Sequence, residues 1–254
     1  GARVMMEDGL FERFPVQSIY AMHNWPAMQP GTVGINSGAM MAAADRVTIH
    51  IAGRGGHGAH AYQTVDVVLV AAHIITAVQG IVARNVRPLD SAVISLCAVQ
   101  AGDLGAFSVL PGTATLVGTV RSFDPAVQAM VEQRLKELCS AIALGFGATA
   151  TVHYERIYPA TINTESEALF AGDVAERLVG ADNVVRDLEP SMGAEDFSFM
   201  LQSKPGAYLR LGQGGGPSAC ALHNSRYDFN DDILPLGAAL HASLVEQAMP
   251  LATP

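Results

Sequence analysis

Alternation of apolar and polar residues predicts strands along much of the chain. Val47, Ile49 and Ile51 alternate with Thr48 and His50, as expected of a strand that buries one face. Similar segments are separated by turns rich in Pro and Gly. The strands predicted in this way cover residues 18–23, 32–36, 46–53, 91–102, 113–123 and 149–159.

Helical spacing and helix-end signals predict four helices. Asp124 followed by Pro125 is typical of an N-cap and the first helical position. Thr164 with Glu167 three residues later predicts a capping box. The predicted helices cover residues 64–79, 125 to about 144, 164–179 and about 236–249, and the segments 191–201, 206–216 and 220–232 have no assignment.

The order of these elements predicts an α/β protein with an insertion. Residues 46–158 read as β-α-β-β-α-β, in which an antiparallel sheet carries two helices on one face. Such a unit can fold by itself. We therefore predict a domain over 46–158, and a discontinuous domain formed by 1–45 and 159–254.

Composition excludes several classes of protein. Of 254 residues, 50% are hydrophobic and 15% are charged, so disorder is excluded. The net charge of −9 argues against nucleic acid as a partner. No run approaches the roughly 18 apolar residues of a membrane-spanning helix, and acidic residues near Gly1 do not fit a signal peptide. From this we expect a protein without a membrane partner. Cys97, Cys139 and Cys220 are isolated in the sequence, which is typical of reduced thiols, so we expect a cytoplasmic protein.

Two histidines are candidate metal ligands. His23 ends an apolar strand before Asn24-Trp25-Pro26, and His223 follows a glycine-rich turn. Two imidazoles can share a divalent ion, although a catalytic site normally needs at least three protein ligands. The alternative for His23 is a histidine that caps the strand by hydrogen bonding.

His57 lies among glycines in the sequence GRGGHGAH, which leaves its side chain uncovered. It can donate a hydrogen bond to a carbonyl or to a tetrahedral oxyanion. The alternative is an exposed loop histidine. A phosphate-binding loop is disfavoured because neither GxxxxGK[ST] nor the dinucleotide-binding pattern is present. The contexts of His50, His60, His73, His153 and His241 favour structural roles.

Charged side chains near strand and helix ends give further candidates. Arg121 closes a predicted strand and can hold a carboxylate bidentately, or be a solvated terminal charge. Glu195 and Asp196 read as an acidic pair that starts a helix. Serine-hydrolase and thermolysin-like signatures are not present in the sequence.

Five motifs follow one another along the chain: MEDGLFERFPVQSIYAMHNWP, GRGGHGAH with TVD, VLPGTATLVGTVRSFD, SMGAEDF and LHNSRYDFNDDILPLGA. In this order they resemble the amidohydrolase branch of the dinuclear metallocarboxypeptidase family, which includes hippurate hydrolases, N-acyl-amino-acid deacylases and auxin-conjugate hydrolases. The resemblance covers essentially the whole chain. It implies a catalytic α/β domain with two metal ions, interrupted by a βαββαβ (ferredoxin-like) satellite domain that commonly mediates homodimerisation.

The resemblance also implies roles for individual residues. His23 and His223 match metal ligands, and His57 matches a satellite-domain histidine that reaches a neighbouring subunit's active site. Arg121 matches the arginine that holds the substrate's free carboxylate. Glu195 lies near the site. The implied reaction is hydrolysis of an N-acyl amino acid, with zinc, manganese, cobalt or nickel as the metal.

Two departures from the family pattern affect these expectations. Ser108 stands where the family usually has asparagine, so its contact with the substrate carboxylate is weaker or mediated by water. No HxCGHD-type motif occurs in the chain, which therefore resembles the C-terminal portion of a longer enzyme with an incomplete catalytic domain. A non-catalytic remnant that dimerises or binds amino-acid conjugates, and a ferredoxin-like ligand sensor, remain alternatives.

Overall fold

The structure, a computed structural model, describes residues 1–214 and 220–250. The chain divides into two compact units. The first unit comprises Gly1–Met41, Thr161–Ser191 and Glu195–Pro254, and the second comprises Ala42–Ala160 and Met192–Ala194.

The chain alternates short and long strands with helices. The strands are β1 (Ile19–Trp25), β2 (Val33–Gly34), β3 (Gly38–Met41), β4 (Ala43–Ala52), β5 (Gly56–His57), β6 (Ala92–Ala101), β7 (Val109–Leu110), β8 (Thr113–Ser122), β9 (Thr149–Tyr158), β10 (Thr161–Asn163), β11 (Val184–Val185) and β12 (Gly206–Gly212). The helices are α1 (Ala2–Glu7), α2 (Leu10–Arg13), α3 (Val67–Ala77), α4 (Gln79–Asn85), α5 (Pro125–Gly145), α6 (Glu165–Val179), α7 (Phe197–Leu201) and α8 (Leu234–Ala248).

The first unit contains a four-stranded sheet in the order β1-β12-β2-β11. Strand β12 runs parallel to β1 and antiparallel to β2, and every residue of β12 is buried. On one face the sheet packs against α6 and α8, whose buried residues include Ala171, Val174, Leu240 and Leu244. Strands β3 and β10 form a separate antiparallel pair. Burial on both sides explains why β12 is a run of mostly apolar residues without alternation.

The second unit contains an antiparallel sheet in the order β6-β8-β4-β9. Its main elements follow one another as β-α-β-β-α-β. Alternate residues of β4 and β8 point into a core shared with α3 and α5, which includes Val47, Ile49, Leu116, Val70 and Leu135. Alternation places these apolar side chains on one sheet face, and helices cover that face.

Local signals determine where several helices begin. Asp124 is the N-cap of α5, its carboxylate accepts a hydrogen bond from the backbone N–H of Ala126 at 2.6 Å, and Pro125 is the first helical residue. The helix predicted from residue 64 begins instead at Val67, because the Asp66 side chain caps it and accepts from the N–H groups of Val68 and Leu69.

The capping box predicted at Thr164 is wrong. Thr164 is the N-cap of α6, but its side chain makes no capping hydrogen bond to that helix. Its hydroxyl oxygen instead accepts from the backbone N–H of Gly206 at 3.2 Å, and its own N–H donates to the Gly206 carbonyl. The side chain therefore secures the start of the central strand β12 rather than the helix.

One helical segment has the length and composition of a membrane span, although it is not an uninterrupted run of apolar residues. Val67–Asn85 covers 19 residues, and an 18-residue stretch within it has a mean hydropathy of 1.8, so it could cross a membrane by length and composition only. This segment is α3 followed by α4, and its residues Val67, Val70, Ile74, Val78 and Ile81 are buried in the core of the second unit. Core helices of soluble proteins can have the same length and composition, so the segment is weak evidence for a membrane span.

Candidate active site

His23 lies near the carboxyl end of β1 and is half-buried. Its Nδ1 atom is 2.7 Å from the Asn24 carbonyl oxygen. A carbonyl can only accept a hydrogen bond, so in the neutral ring the proton lies on Nδ1 and Nε2 keeps a free lone pair. This arrangement, with one ring nitrogen donating to a backbone carbonyl, is common for metal-ligating histidines.

Aromatic and charged side chains surround His23 on one face of the sheet. Its ring centroid lies 6.0 Å from that of Trp25 and 6.5 Å from that of Tyr208. In the pairing of β1 with β12, His23 stands opposite Arg210. The apolar neighbours keep bulk water away from part of the ring and strengthen local electrostatic interactions.

Arg210 is a buried cation that the sequence analysis did not identify. Its side chain is 3% exposed, and it donates to the carbonyl oxygens of Met40 and Glu189 at 2.9 and 3.1 Å. Burial lowers the pKa of Arg210 from its usual value. Arg210 occurs within the mostly apolar sequence of β12, and a single charged residue among apolar ones is the only sign of it in the sequence.

The carboxylate of Glu195 is held by two donors. Its Oε1 accepts from the backbone N–H of Asp196 at 2.9 Å, and its Oε2 accepts from the Tyr208 hydroxyl at 3.2 Å. Burial is the main cause that raises the pKa of Tyr208, and the nearby charge of Glu195 raises it further. The Tyr208 hydroxyl therefore remains a neutral donor. Asp196 is the N-cap of α7 but does not use its side chain there, and its carboxylate accepts from the Ala2 N–H at 2.7 Å.

His223 lies on an exposed loop and has a strained backbone. Among the non-glycine residues that the structure describes, His223 alone has a positive φ, of 63°. Backbone strain of this kind costs on the order of 1–3 kcal/mol and often occurs at functional sites.

A hydrogen-bond network ties the His223 loop to the end of β1. The amide of Asn24, the residue after His23, donates to Gln213 at 2.9 Å and to the Tyr227 hydroxyl. The Tyr227 hydroxyl also donates to Gln213 at 2.6 Å. Tyr227 follows His223 by four residues, so the network connects the segments that carry the two candidate metal ligands.

The described donor set is short of a complete metal cage. Within residues 1–214 and 220–250, no cluster of three or more His, Cys, Asp or Glu side chains that could hold a metal ion is found. His23, through Nε2, fits the role of one ligand. Because a catalytic site requires at least three protein ligands, the described residues supply part of such a site at most.

His57, in the second unit, is exposed and caps a short 3₁₀ helix, Gly58–Gln63. Its Nδ1 accepts from the Ala59 N–H at 3.1 Å, so the proton of the neutral ring lies on Nε2. The free Nε2 atom of His57 is thus a hydrogen-bond donor, whereas the free Nε2 atom of His23 is an acceptor. The backbone packs closely at a glycine near His57, because a Cβ on Gly55 would lie 2.6 Å from the Leu110 carbonyl oxygen.

The structure brings Ser108 close to the backbone of His57 but places Arg121 elsewhere in the second unit. The Ser108 carbonyl accepts from the Gly58 N–H at 2.7 Å, and His57 pairs with Val109. Arg121 lies near the end of β8, whereas Ser108 comes before Thr113, the first residue of that strand. The eight residue steps from Thr113 to Arg121 span about 27 Å at roughly 3.4 Å per residue.

Comparisons with known proteins extend over almost the whole chain. The sequence model of peptidase family M20/M25/M40 matches residues 1–247. The hippurate hydrolase of Campylobacter jejuni is 36% identical over 244 residues, which are 96% of this chain and 62% of that protein. IAA-amino acid hydrolase ILR1-like 4 of Arabidopsis thaliana is 32% identical over 250 residues, which are 96% of this chain and 56% of that protein.

A solved structure shows the same similarity. The Bacillus subtilis YXEP protein, described as a dinuclear metal binding peptidase from the M20 family, matches with a TM-score of 0.79 and 28% identity. The match covers 98% of this chain and 61% of that structure. The chain thus spans between 56% and 62% of the length of these relatives.

Proposed function

The chain belongs to peptidase family M20/M25/M40, and from this we propose that the protein is a metal-dependent amidohydrolase that releases the amino acid from an N-acyl amino acid. The observation that carries the proposal is the similarity to relatives named for the hydrolysis of hippurate and of IAA-amino acids. Both names describe an amide between an aromatic acyl group and an amino acid. The present chain corresponds to a part of such an enzyme.

We assign His23 and His223 to the metal site. The free lone pair of His23 Nε2 and the network from Asn24 to Tyr227 support this assignment. The resemblance implies two divalent ions, and imidazole ligands suit zinc, manganese, cobalt or nickel; when bound, the metal supplies polarisation of the carbonyl and activation of water. The remaining ligands are not among the clustered side chains of the described residues.

We assign His57 to the reacting carbonyl. Its Nε2–H can donate a hydrogen bond to the carbonyl oxygen as negative charge develops there, which lowers the energy of the tetrahedral intermediate. The capping bond from Ala59 to Nδ1 fixes the tautomer that provides this donor. His57 therefore acts without losing its proton.

We assign Arg121 to the free carboxylate of the substrate, with Ser108 and Glu195 as further binding residues. Arg121 is a half-buried residue and makes no ion pair with the residues that the structure describes, so its charge is available to a ligand. A planar guanidinium matches a carboxylate with two parallel hydrogen bonds. Ser108 offers one hydroxyl.

We assign residues 1–45 and 159–254 to the catalytic domain and 46–158 to a ferredoxin-like satellite domain through which the protein forms a homodimer. The division into two compact units and the antiparallel order β6-β8-β4-β9 support this assignment. The distance between Arg121 and the His57 loop along β8 exceeds the length of an N-acyl amino acid. It favours a dimer in which His57 serves the neighbouring subunit.

We place the protein in the cytoplasm. The three cysteines, of which Cys97 is exposed, are free thiols, as expected in a reducing compartment. Cell fractionation with an antibody to the protein tests this placement, and recovery from a secreted fraction would contradict it.

The function is tested with the full-length protein and benzoylglycine. We expect release of glycine that stops when a chelator removes the metal and returns when zinc, manganese, cobalt or nickel is added. His23→Ala should abolish the recovery, whereas His153→Ala, an exposed strand histidine, should leave it intact. Binding of benzoylglycine without any hydrolysis by the metal-loaded protein would instead indicate a non-catalytic binding protein.

A further inference from the structure

We propose that Phe107 contacts the acyl group of the substrate and sets the preference for aromatic acyl groups, an inference that rests on the proposed function. Phe107 lies in the loop between β6 and β7, in the second unit. It directly precedes Ser108, which is assigned to substrate binding.

Main-chain hydrogen bonds fix the position of Phe107 relative to His57. Strand β7 pairs with β5, with His57 opposite Val109, and the Ser108 carbonyl accepts from the Gly58 N–H at 2.7 Å. Phe107 is therefore one residue beyond the pair that joins Ser108 to the His57 loop. A group that receives the His57 hydrogen bond lies beside this loop.

The loop that carries Phe107 is shaped by its own turns. The Asp103 carboxylate accepts from the Gly105 N–H at 2.8 Å, and the Asp103 carbonyl accepts from the Ala106 N–H at 3.0 Å. The Val109 N–H then donates to the Ala106 carbonyl at 2.9 Å. These bonds hold the backbone on both sides of Phe107, so its ring is presented from an ordered loop.

The exposure of Phe107 has no structural explanation within the second unit. Its side chain is 96% exposed, and Leu104 three residues earlier is fully exposed. An aromatic ring exposed to this extent contributes nothing to the core, and neighbouring apolar side chains that are exposed together often mark a binding site.

The chemistry of the loop matches an N-acyl amino acid. His57 and Ser108 supply the polar contacts, and Phe107 supplies an aromatic surface beside them. A benzoyl ring can stack on Phe107 in an offset or edge-to-face arrangement, whereas an acetyl group covers little of the ring. Phe107 thus favours benzoyl over acetyl substrates.

The test compares Phe107→Ala with wild type in the full-length enzyme, using benzoylglycine and acetylglycine. We expect the KM for benzoylglycine to rise about tenfold with kcat little changed, and the KM for acetylglycine to stay the same. Leu89→Ala is the matched control, since Leu89 is 97% exposed in another loop of the second unit. It should change neither KM.

Other outcomes separate the inference from the function on which it rests. If wild type hydrolyses both substrates but Phe107→Ala changes the two KM values equally or not at all, the inference is wrong and the proposed function stands. If Phe107→Ala converts a dimer to a monomer in sedimentation velocity, the ring belongs to a subunit contact, and the inference is also wrong. If wild type hydrolyses neither substrate, the proposed function fails.

Discussion

The guanidinium carbon of Arg210 lies 4.0 Å from the centroid of the Trp25 ring. Arg210 makes no ion pair with the described residues, and its Nε has no hydrogen-bond partner there. Its charge is therefore stabilised by the ring face and by two backbone carbonyls. Such a contact is stronger when it is shielded from water.

Arg210→Ala should destabilise the protein by about 3 kcal/mol, because it leaves a cavity and removes the Arg210 donor from the Glu189 carbonyl, whereas the Met40 carbonyl keeps the Ser191 N–H. Trp25 is the sole tryptophan of the chain, so its fluorescence reports urea unfolding at this position. Arg84→Ala removes an exposed arginine and should change the free energy of unfolding by less than about 0.5 kcal/mol. Equal effects of the two variants would contradict the importance of this contact.

A buried carboxylate in the second unit should make stability depend on pH. Asp45 is 1% exposed and accepts from Gln128 at 2.8 and 2.9 Å and from the Tyr154 hydroxyl at 2.5 Å. Burial raises the pKa of Asp45 despite these bonds and the nearby charge of Arg156, and Glu132 raises it further. Its contribution to stability is then complete below the unfolded pKa of about 3.9 and is lost as pH rises through the folded pKa.

Asp45→Asn removes this titration, so wild type should lose stability relative to the variant as the pH rises from about 4 to 7. The free energy of unfolding of both proteins across this range measures the effect. Tyr154→Phe, which removes a donor to the charged carboxylate, should cost about 1.5–3 kcal/mol at pH 7 and less at pH 4. A difference between wild type and Asp45→Asn that stays constant with pH would refute the expectation.

Elements with strong local signals could be predicted from the sequence. Helix α5 follows from Asp124 and Pro125, and β4 follows from its alternation. Residues 38–45 lie outside the predicted strands, yet they form β3 and the start of β4, because small apolar side chains fit the buried positions there. The predicted strand 32–36 is reduced to Val33–Gly34.

Other features depend on contacts that sequence spacing does not reveal. Strand β12 lacks alternation because both its faces are buried. The family was identified correctly from motifs, but Tyr208 and Arg210 were missed, since a buried hydroxyl or cation in an apolar run gives no motif. The tautomers of His23 and His57 depend on a backbone carbonyl and a backbone N–H, respectively, which only the fold places beside each ring.

The link between the His223 loop and β1 should support metal binding. Tyr227→Phe removes the hydroxyl that joins Asn24 and Gln213 while keeping the ring. We expect zinc affinity of the full-length protein to fall about tenfold, as is typical when a group behind a metal ligand is lost. Tyr62→Phe alters an exposed tyrosine of the second unit and should have no effect. Unchanged zinc affinity in Tyr227→Phe would show that the loop is held by other contacts.

The 254-residue chain by itself should bind zinc weakly. The described residues provide His23 and His223 without a cluster of three ligands, and an incomplete ligand set leaves most of the ion's coordination to water. Calorimetric titration of this chain with zinc measures the affinity and the number of ions bound. Two tight sites, together with hydrolysis of benzoylglycine by the same chain, would overturn this expectation.

Mixing two inactive variants should restore activity if His57 serves the neighbouring subunit. In a heterodimer of His23→Ala and His57→Ala chains, one site has both its own His23 and the partner's intact loop, whereas the other site has neither. When subunits exchange at random, about half of the dimers are mixed and each has one working site of two, so about a quarter of the wild-type activity should return. A mixture that stays inactive after verified exchange would show that His57 acts within its own subunit. His57→Ala mixed with itself provides the baseline, and kcat of that variant should be lower than wild type by about 10²-fold or more, as expected when an oxyanion donor is lost.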